Sequence, residues 1–475
     1  YCADTFNGNG RYNGGYFNIE TARLVGIYAN CGTFVQCDSL CNGFTDHTTW
    51  TAEHSPYFLD NNILIDEGHT LIIEPDVDVR VRGPYSITVK GAIDARATEE
   101  NPILFTSSNP NVHWNSFRLY DIPPEADSSV FERCIFENAL ATTGSQAGFN
   151  SGGAIKVRDF SKLRFSNCTF RYNQVYWPTS LPPSGGAIAL WGSSPLIEYC
   201  EFHDNKAGRT GVGGFGGAIF CYQGSDPMIK HSLFYDNIAT ADAGAIVIWE
   251  DCAPTLLNNT ITGNYAEKHG GGVFLYDCGE DSVMFINNIL WNNASGIDSQ
   301  QVGVEPLLPV RASFSYNDIQ GGLEGIDPDH EGIYYAENNI DEYPHFCELE
   351  ESMYTLTELS PCLTSGMGGN YIGAFGWGCY EGISDAEDNM DGLNFYPNPV
   401  ASGHISVSFF MGNPGQARLE IYNLTGEKVS EPMNGYYASG EHRVTFSVEG
   451  LPAGIYFGRL TDSGQSITTG FVRMK

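Results

Sequence analysis

Six side chains in the middle of the chain are of types that act on carbohydrates, and they fall close together in a repeating sequence. They are Trp191, Tyr222, Trp249, Glu250, Asp251 and Asp277. Aromatic faces pack against the apolar faces of sugar rings, while a few polar groups fix the orientation of the ring. Two carboxylates roughly 5–9.5 Å apart can also hydrolyse a glycosidic bond. We therefore take Glu250, Asp251 and Asp277 as candidate catalytic residues.

A short phrase that recurs five times positions these residues. It consists of two small residues, usually glycines, followed by a small and an apolar residue, and its copies begin at Gly152, Gly185, Gly216, Ala243 and Gly271. The second glycine recurs at intervals of 33, 31, 27 and 28 residues. A second phrase ends at Asn173, Asn205, Asn237, Asn264 and Asn293. Self-similarity at this period indicates units that bury their apolar faces only against the next unit.

The units contain no helical stretch. Each has short runs of alternating apolar residues separated by Gly, Asn, Ser and Asp, a pattern typical of short strands and tight turns. Propeller blades, hairpin arrays and coils of a β-helix all have such units, but a blade needs about 40 residues. Because the intervals are shorter and vary, the sequence favours an all-β fold, a right-handed parallel β-helix (solenoid).

Strand alternation assigns the residues of each repeat to two faces. We expect interior columns made of Ile155, Ile188, Ile219, Ile246, Phe274 and of Val157, Leu190, Cys221, Ile248, Tyr276. The outward columns are then Lys156, Ala189, Phe220, Val247, Leu275 and Arg158, Trp191, Tyr222, Trp249, Asp277. The predicted ligand-binding residues are Trp191, Tyr222, Trp249, Arg158 and Phe220. The alternative is that the preceding loops fold over these aromatics and bury them.

Stacked coils also predict ladders of polar and small residues. The recurring Asn suits a turn in which its amide bonds the backbone or the Asn of the next coil. Cys134, Cys168 and Cys200 share one column, which predicts a buried ladder of small side chains. Cys252 and Cys278 follow equivalent strands of neighbouring coils and are candidates for a disulfide.

Net charge restricts the partners of the chain. The formal charge is −33, and from Asn394 onward basic and acidic residues balance at six each, so the whole excess lies before that residue. An acidic surface of this size argues against binding to nucleic acid or to anionic membranes. No apolar run reaches the ~18 residues that span a bilayer, so the chain is not expected to be transmembrane.

Several carboxylates of the chain are candidate ligands for a bound cation, Ca²⁺ in particular. A lyase needs a base beside Ca²⁺ held by carboxylates; Arg158, Lys206 or Arg209 would serve as base, with Asp242 or Asp251 as ligands. Separately, Asp327, Asp329 and Glu331 alternate along a loop and would suit Ca²⁺, although this loop lacks the Gly and the spacing of an EF-hand. The alternative is an ordinary surface loop, and no other cofactor is indicated.

Composition divides the chain into four parts. Residues 1–55 are rich in Cys and Gly and form an N-terminal cap, and residues 56–380 form the β-helix with its repeat core at 129–300. Residues 381–392 are an acidic linker. In residues 393–475 alternating strands separated by turn signals predict a small immunoglobulin-like β-sandwich.

The C-terminal part resembles the type A C-terminal sorting domain of the type IX secretion system. The resemblance rests on Phe395–Pro399, Leu419–Gly426, Leu451–Tyr456 and the basic ending Val472–Lys475. The matching signal positions are Pro397, Asn398, Pro399, Gly426, Gly454 and Lys475. The resemblance implies interaction with the type IX machinery, and a protein that is secreted or attached to the outer surface of a Gram-negative bacterium.

The repeat phrases resemble those of polymorphic outer-membrane proteins, which are surface β-helix adhesins. The likeness covers roughly residues 129–300 and departs at Phe136-Glu137-Asn138 and Ala243-Gly244. Residues 63–108 and 311–376 are similar to the outer coils of pectate-lyase-like β-helix proteins, a superfamily with polysaccharide lyases, hydrolases and members without known activity. Three functions follow as hypotheses: an adhesin that binds glycans, a polysaccharide lyase or hydrolase, and a structural surface protein. Enzymatic activity is left undecided, with the adhesin favoured.

Overall fold

The computed structural model contains almost only strands. It describes residues 11–12, 15–16, 33–35, 48–109, 111–141, 151–176, 183–209, 211–279, 281–297, 301–326, 330–347, 354–379, 393–396, 400, 403–411, 414–423, 427–438, 440–462 and 465–473. The predicted linker and most of the predicted cap lie outside these ranges. Two compact units result, with residues up to 346, 354–356 and 360–376 in the first and residues 347–353, 357–359 and 377–475 in the second.

In the first unit the chain winds through the same parallel sheets once per coil. Sheet A, which contains the repeat phrase, is formed by Ile63–Ile65, Ile87–Val89, Phe117–Leu119, Ile155–Arg158, Ile188–Trp191, Ile219–Tyr222, Ile246–Trp249, Val273–Tyr276 and Val302–Val304. Sheet B is formed by Thr48–Trp50, Thr70–Ile73, Ala92–Arg96, Ser129–Glu132, Leu163–Ser166, Leu196–Glu198, Met228–Lys230, Thr255–Leu257, Val283–Ile286, Ala312–Ser315 and Ile333–Tyr335.

Two further sheets complete each coil. Sheet C is formed by Thr33–Val35, Tyr57–Leu59, Asp78–Val81, Ile103–Ser107, Cys134–Glu137, Thr169–Arg171, Glu201–His203, Leu233–Tyr235, Thr260–Thr262, Ile289–Trp291 and Asp318–Ile319. The short sheet D is formed by Leu140–Ala141, Gln174–Val175, Lys206–Ala207, Ile238–Ala239, Tyr265–Ala266 and Ala294–Ser295. Consecutive strands within each sheet are parallel, which is the arrangement of a parallel β-helix. The predicted all-β solenoid is confirmed.

Ladders of identical side chains fill the interior. The rings of Phe136, Phe170, Phe202 and Phe234 stack with centroids 4.7–4.8 Å apart and planes within 7° of parallel. This distance matches the spacing of hydrogen-bonded strands, so each coil adds one ring to the stack. Cys134, Cys168 and Cys200 are buried in the predicted ladder as free thiols. Cys252 and Cys278 are also free and buried, so the candidate disulfide between them is wrong.

Asparagine ladders close the turns on both sides of sheet C. In the first, each Nδ2 donates to the side-chain amide oxygen of the next coil at 2.8–3.0 Å. This ladder runs through Asn173, Asn205, Asn237, Asn264 and Asn293 and ends at Gln301 Oε1. The same Nδ2 donates to a backbone carbonyl of the preceding coil, as from Asn237 to Phe202 at 2.8 Å. A second ladder runs through Asn259, Asn288, Asn317 and Asn339. The predicted stacking of the recurring Asn is confirmed by these bonds.

Glycine in the repeat phrase is needed for close approach of neighbouring coils. A Cβ on Gly186 would collide with the carbonyl oxygen of Gly217 in the next coil. Gly185, just before it, has a φ of +68°, in the region that side chains disfavour. The repeat phrase therefore marks the point just before sheet A where the backbones of neighbouring coils are in contact.

One register assignment from the sequence is wrong by a single residue. Val273, not Phe274, pairs with Ile246, and Leu275 pairs with Ile248. Leu275 therefore points into the core, while Phe274 and Tyr276 point outward. Because side chains alternate along a strand, a slip of one residue exchanges the two faces. Asp277 lies after the strand, in a turn with a φ of +49°.

A late segment of the first unit lies on the outer face of sheet C. Ile289, Leu356, Cys362 and Ile372 form a small buried cluster. Beside it the Cys362 thiol donates to Asp318 Oδ2 at 2.9 Å, and the backbone N–H of Glu342 donates to Asp318 Oδ1 at 3.1 Å. Burial raises the pKa of Asp318 to about 7.

The second unit contains a small antiparallel β-sandwich, as predicted. One sheet consists of Asn394–Tyr396, His404–Met411 and Gly440–Ser447. The other consists of Lys428–Tyr437, Gly415–Asn423, Gly454–Asp462 and Gln465–Arg473. Its core includes Val407, Leu419, Ile421 and Phe471. A disulfide joins Cys347 to Cys379 in this unit.

The remaining elements are short. Single-turn 3₁₀ helices are Ala52–His54, Gly322–Gly325, Pro361–Leu363 and Met367–Gly369. The other strands are Arg11–Tyr12, Gly15–Tyr16, Leu356–Thr357 and Trp377–Cys379.

Candidate functional site

Four aromatic rings line up along the outer face of sheet A. Register pairs Trp191 with Tyr222, Tyr222 with Trp249, and Trp249 with Tyr276. All four side chains are partly exposed. We call these four residues the aromatic stripe. Tyr276 was not among the predicted residues, because the slip in register placed it in the core.

The second outward column of sheet A is closed to solvent. Ala189, Phe220, Val247 and Phe274 are buried, and Phe215 and Ala243 of the preceding loops pack on them. Phe220 is only 6% exposed, contrary to its predicted place on the ligand-facing surface. Loops therefore cover the column that contains Phe220 and leave the column of Trp191, Tyr222 and Trp249 partly exposed.

Packing against this buried column fixes the rings of the stripe. Trp191 and Tyr222 meet edge to face with centroids 6.5 Å apart, and Tyr222 and Trp249 do so at 6.3 Å. Trp249 and Tyr276 are tilted by 46° at 4.3 Å. Phe220 contacts three of the rings from below at 5.6–6.2 Å. Neighbouring rings of the stripe therefore differ in orientation.

The candidate catalytic carboxylates lie in the turn that follows sheet A. Glu250 and Asp251 have φ values of +55° and +56°, and the backbone N–H of Asp251 donates to the carbonyl of Asp277 at 2.9 Å. The turns of the two coils are therefore stacked, with Glu250 and Asp277 partly exposed and Asp251 exposed. Interaction of the Tyr222 hydroxyl with the Glu250 carboxylate raises the pKa of Tyr222 to about 12.

Arg158 occupies the position next to Trp191 in the same column. Its side chain is 58% exposed, and the only ion pair that the structure describes for it is with Asp159 at 3.7 Å. An exposed pair at this distance contributes little, so the guanidinium is available to other partners.

The other basic and acidic candidates lie on sheet D or in the loops between sheet D and sheet A. The Arg209 guanidinium lies 5.3 Å from the ring centre of Tyr176. Lys206 begins a strand of sheet D. Asp242 is buried and accepts a hydrogen bond from the backbone N–H of His269 at 3.2 Å. Asp242 therefore holds two loops together, and the structure does not bring it to Arg158.

Two groups of predicted residues lie mostly outside the described ranges. Of the candidate Ca²⁺ ligands, Asp327 and Asp329 fall in the gap at 327–329, while Glu331 is exposed. Within the ranges that are described, no three His, Cys, Asp or Glu side chains are grouped to hold a metal ion. Of the sorting positions, Gly454 opens the strand Gly454–Asp462. Pro397, Asn398, Pro399, Gly426 and Lys475 lie outside the described residues.

Comparison with known families divides the chain in the same way. Residues 124–305 match the family described as "Right handed beta helix region", so this part is a right-handed β-helix. Residues 394–473 match the family described as "Secretion system C-terminal sorting domain". No curated protein matches the chain. Helices long and apolar enough to cross a membrane are absent from the described part of the chain. The sorting domain involves the type IX secretion machinery and indicates a protein that is secreted or at the cell surface.

Proposed function

We propose that this secreted or surface-attached β-helix protein binds extracellular glycans through the aromatic stripe and acts as an adhesin. The observation that carries the proposal is a row of four partly exposed rings held in fixed orientations over a buried apolar layer. Such rings offer large contact area with little loss of side-chain entropy on binding. The strand register sets the spacing of the rings along the solenoid, so an extended chain of sugars is the ligand that fits best.

Polar groups at the edge of the stripe supply the hydrogen bonds that a sugar requires. Glu250 and Asp277 border the stripe on the turn side, and Arg158 extends it at one end. Carboxylates accept from hydroxyls, and a guanidinium donates to ring and hydroxyl oxygens. An apolar surface with a few polar groups at its margin is typical of a site that orients its ligand.

The stacked carboxylates favour a second candidate, a polysaccharide lyase or hydrolase. Glu250, Asp251 and Asp277 lie in adjacent turns beside the stripe, where a bound sugar chain would pass. Binding alone requires no particular carboxylate, whereas cleavage would require one as general acid or base. Measuring both binding and cleavage in one experiment therefore separates the candidates.

The test uses the full chain with neutral and acidic polysaccharides, with and without Ca²⁺, and measures retained polymer and newly released ends. Trp191→Ala and Trp249→Ala should each lower affinity at least tenfold, as expected for a buried aromatic contact in a binding site. The control is Tyr334→Ala, because Tyr334 is a 65% exposed aromatic on sheet B, away from the stripe. Circular dichroism checks that each variant remains folded.

Three outcomes are informative. Retention that falls in both tryptophan variants and persists in Tyr334→Ala supports the adhesin. Released ends that disappear in Glu250→Gln, Asp251→Asn or Asp277→Asn would replace it by the enzyme. Absence of both retention and cleavage across the panel would contradict both and leave a structural surface protein.

A further inference from the structure

The outer face of sheet A changes character at Trp191. On one side lie the four rings of the aromatic stripe. On the other side, two adjacent strands carry Arg118, Lys156 and Arg158 at their outward positions. Arg118 pairs in register with Lys156, and Arg158 precedes Trp191 in the column of the stripe. We call these three residues the basic end of the stripe.

The basic end differs from the rest of the chain in its charge. The chain carries 24 Lys and Arg against 57 Asp and Glu, yet three basic side chains share the outward positions of two neighbouring strands. Neutral sugars give no reason for like charges to lie side by side. An anion would reduce their mutual repulsion and gain charge-assisted hydrogen bonds.

Burial disfavours the charged form of Lys156, so the two arginines carry the positive charge of the basic end. Lys156 is 3% exposed, and its pKa is held well below the usual value by burial and by the Arg118 charge beside it. The Arg118 Nε is buried without a hydrogen-bond partner in the part of the chain that the structure describes. Charges next to a low-dielectric surface act more strongly on a ligand than charges in water. Arg118 therefore adds to the field from below, while the exposed Arg158 is the group that a ligand can contact.

We infer that the ligand of the stripe is an acidic glycan, whose rings pack on the aromatics while a carboxylate or sulfate group binds Arg158 at the basic end. The inference rests on the proposed function. A guanidinium is the side chain best suited to such anions, because its planar donors match two oxygens at once. The ion pair with Asp159 does not compete strongly, because the Asp159 side chain is 80% exposed and 3.7 Å away.

The test is calorimetry on the full chain with three oligosaccharides of the same backbone and length: neutral, carboxylated and sulfated. At least one acidic ligand should bind more tightly than the neutral one, and its advantage should fall as salt is raised. Arg158→Gln should reduce the ratio of acidic to neutral affinity about tenfold, the scale of one charge-assisted hydrogen bond. Arg96→Gln is the matched control, since Arg96 is 53% exposed and lies on sheet B. If only the carboxylated or only the sulfated ligand loses affinity in Arg158→Gln, that ligand identifies the anionic group that Arg158 binds.

Equal affinity for neutral and acidic ligands, with loss of both in Trp249→Ala, would overturn the acidic ligand and leave glycan binding intact. An acidic preference that Arg158→Gln leaves unchanged would also overturn it. If none of the three ligands bound, the proposed function would fail together with this inference.

Discussion

The asparagine ladder beside sheet C should be a main source of stability, and Asn237 tests this at its centre. The Asn237 Oδ1 accepts from the backbone N–H and from Nδ2 of Asn205, at 3.2 and 2.9 Å. Its Nδ2 donates to the Phe202 carbonyl at 2.8 Å and to Asn264 Oδ1 at 2.9 Å. All these groups belong to the buried interior, where water cannot replace a lost partner.

Asn237→Ala removes the side chain and leaves three buried groups without this partner: the Asn205 N–H, one Asn205 Nδ2–H and the Phe202 carbonyl. The bonds to the part-buried Tyr235 carbonyl and to Asn264 Oδ1 are also lost, but Asn264 Oδ1 keeps the backbone N–H of residue 237. At about 1–2 kcal/mol for each, the expected destabilisation is about 3–6 kcal/mol. Whole domains are stable by only about 5–15 kcal/mol, so this loss should open the coils on both sides of the substitution.

Hydrogen exchange measured by mass spectrometry gives the local readout. Peptides that cover residues 200–240 should lose protection by roughly 10²–10⁴-fold, since each 1.4 kcal/mol corresponds to a factor of ten. The control is Asn111→Ala, because Asn111 is exposed and should change stability by less than about 0.5 kcal/mol. Protection in Asn237→Ala that stays within tenfold of the control would refute the account of the ladder as a stabilising network.

Two further predictions concern buried ionisable groups. The folded pKa of Asp318 is about 7, above the ordinary 3.8, so its contribution to stability is complete below pH 4 and is lost as pH rises to 7. In the wild type the free energy of unfolding should fall by roughly 4 kcal/mol over that pH range, and in Asp318→Asn it should fall much less. Urea titrations at several pH values measure this free energy, and an equal fall in both proteins would contradict the prediction. Burial also raises the pKa of the Cys252 and Cys278 thiols to about 12, so neither should react with iodoacetamide at pH 8 until denaturant is added. Peptide mapping detects the alkylated cysteines. Alkylation of either residue in the native protein, or a disulfide between the two, would contradict this prediction.

The repeat made much of the fold predictable. Phe170, Phe202 and Phe234 recur in phase with the recurring Asn, so the sequence alone indicates the positions of both ladders. Their positions follow from local spacing, because each coil packs against the next through the same residue types at equivalent positions. The assignment failed at Gly270-Gly271-Gly272, where three glycines in a row allow two alignments. Val273 and Phe274 are both apolar, so either residue suits the interior position and their side chains do not distinguish the two alignments.

The candidate site was harder to predict, because it depends on contacts between distant parts of the chain. The burial of Phe220 follows from the path of the loop that carries Phe215, which no periodicity describes. Asp318 meets Cys362 across 44 residues of sequence that contain no repeat phrase. The outward position of Trp191, Tyr222 and Trp249 was nevertheless readable, since it requires only strand alternation within one coil. Whether a side chain points outward is thus local information, and whether it stays exposed is not.

The uniform register from coil to coil also has a consequence for how this protein can change in evolution. Asn205 and Asn237 occupy equivalent positions 32 residues apart, and each bonds its neighbours in the same way. A tandem duplication of residues 205–236 would therefore join matching ladders at both junctions and insert a second copy of Tyr222 into the stripe. Recombination in units of one coil can lengthen or shorten the surface that faces a polymer without redesigning the interior, so the reach of the protein can vary while its fold stays constant.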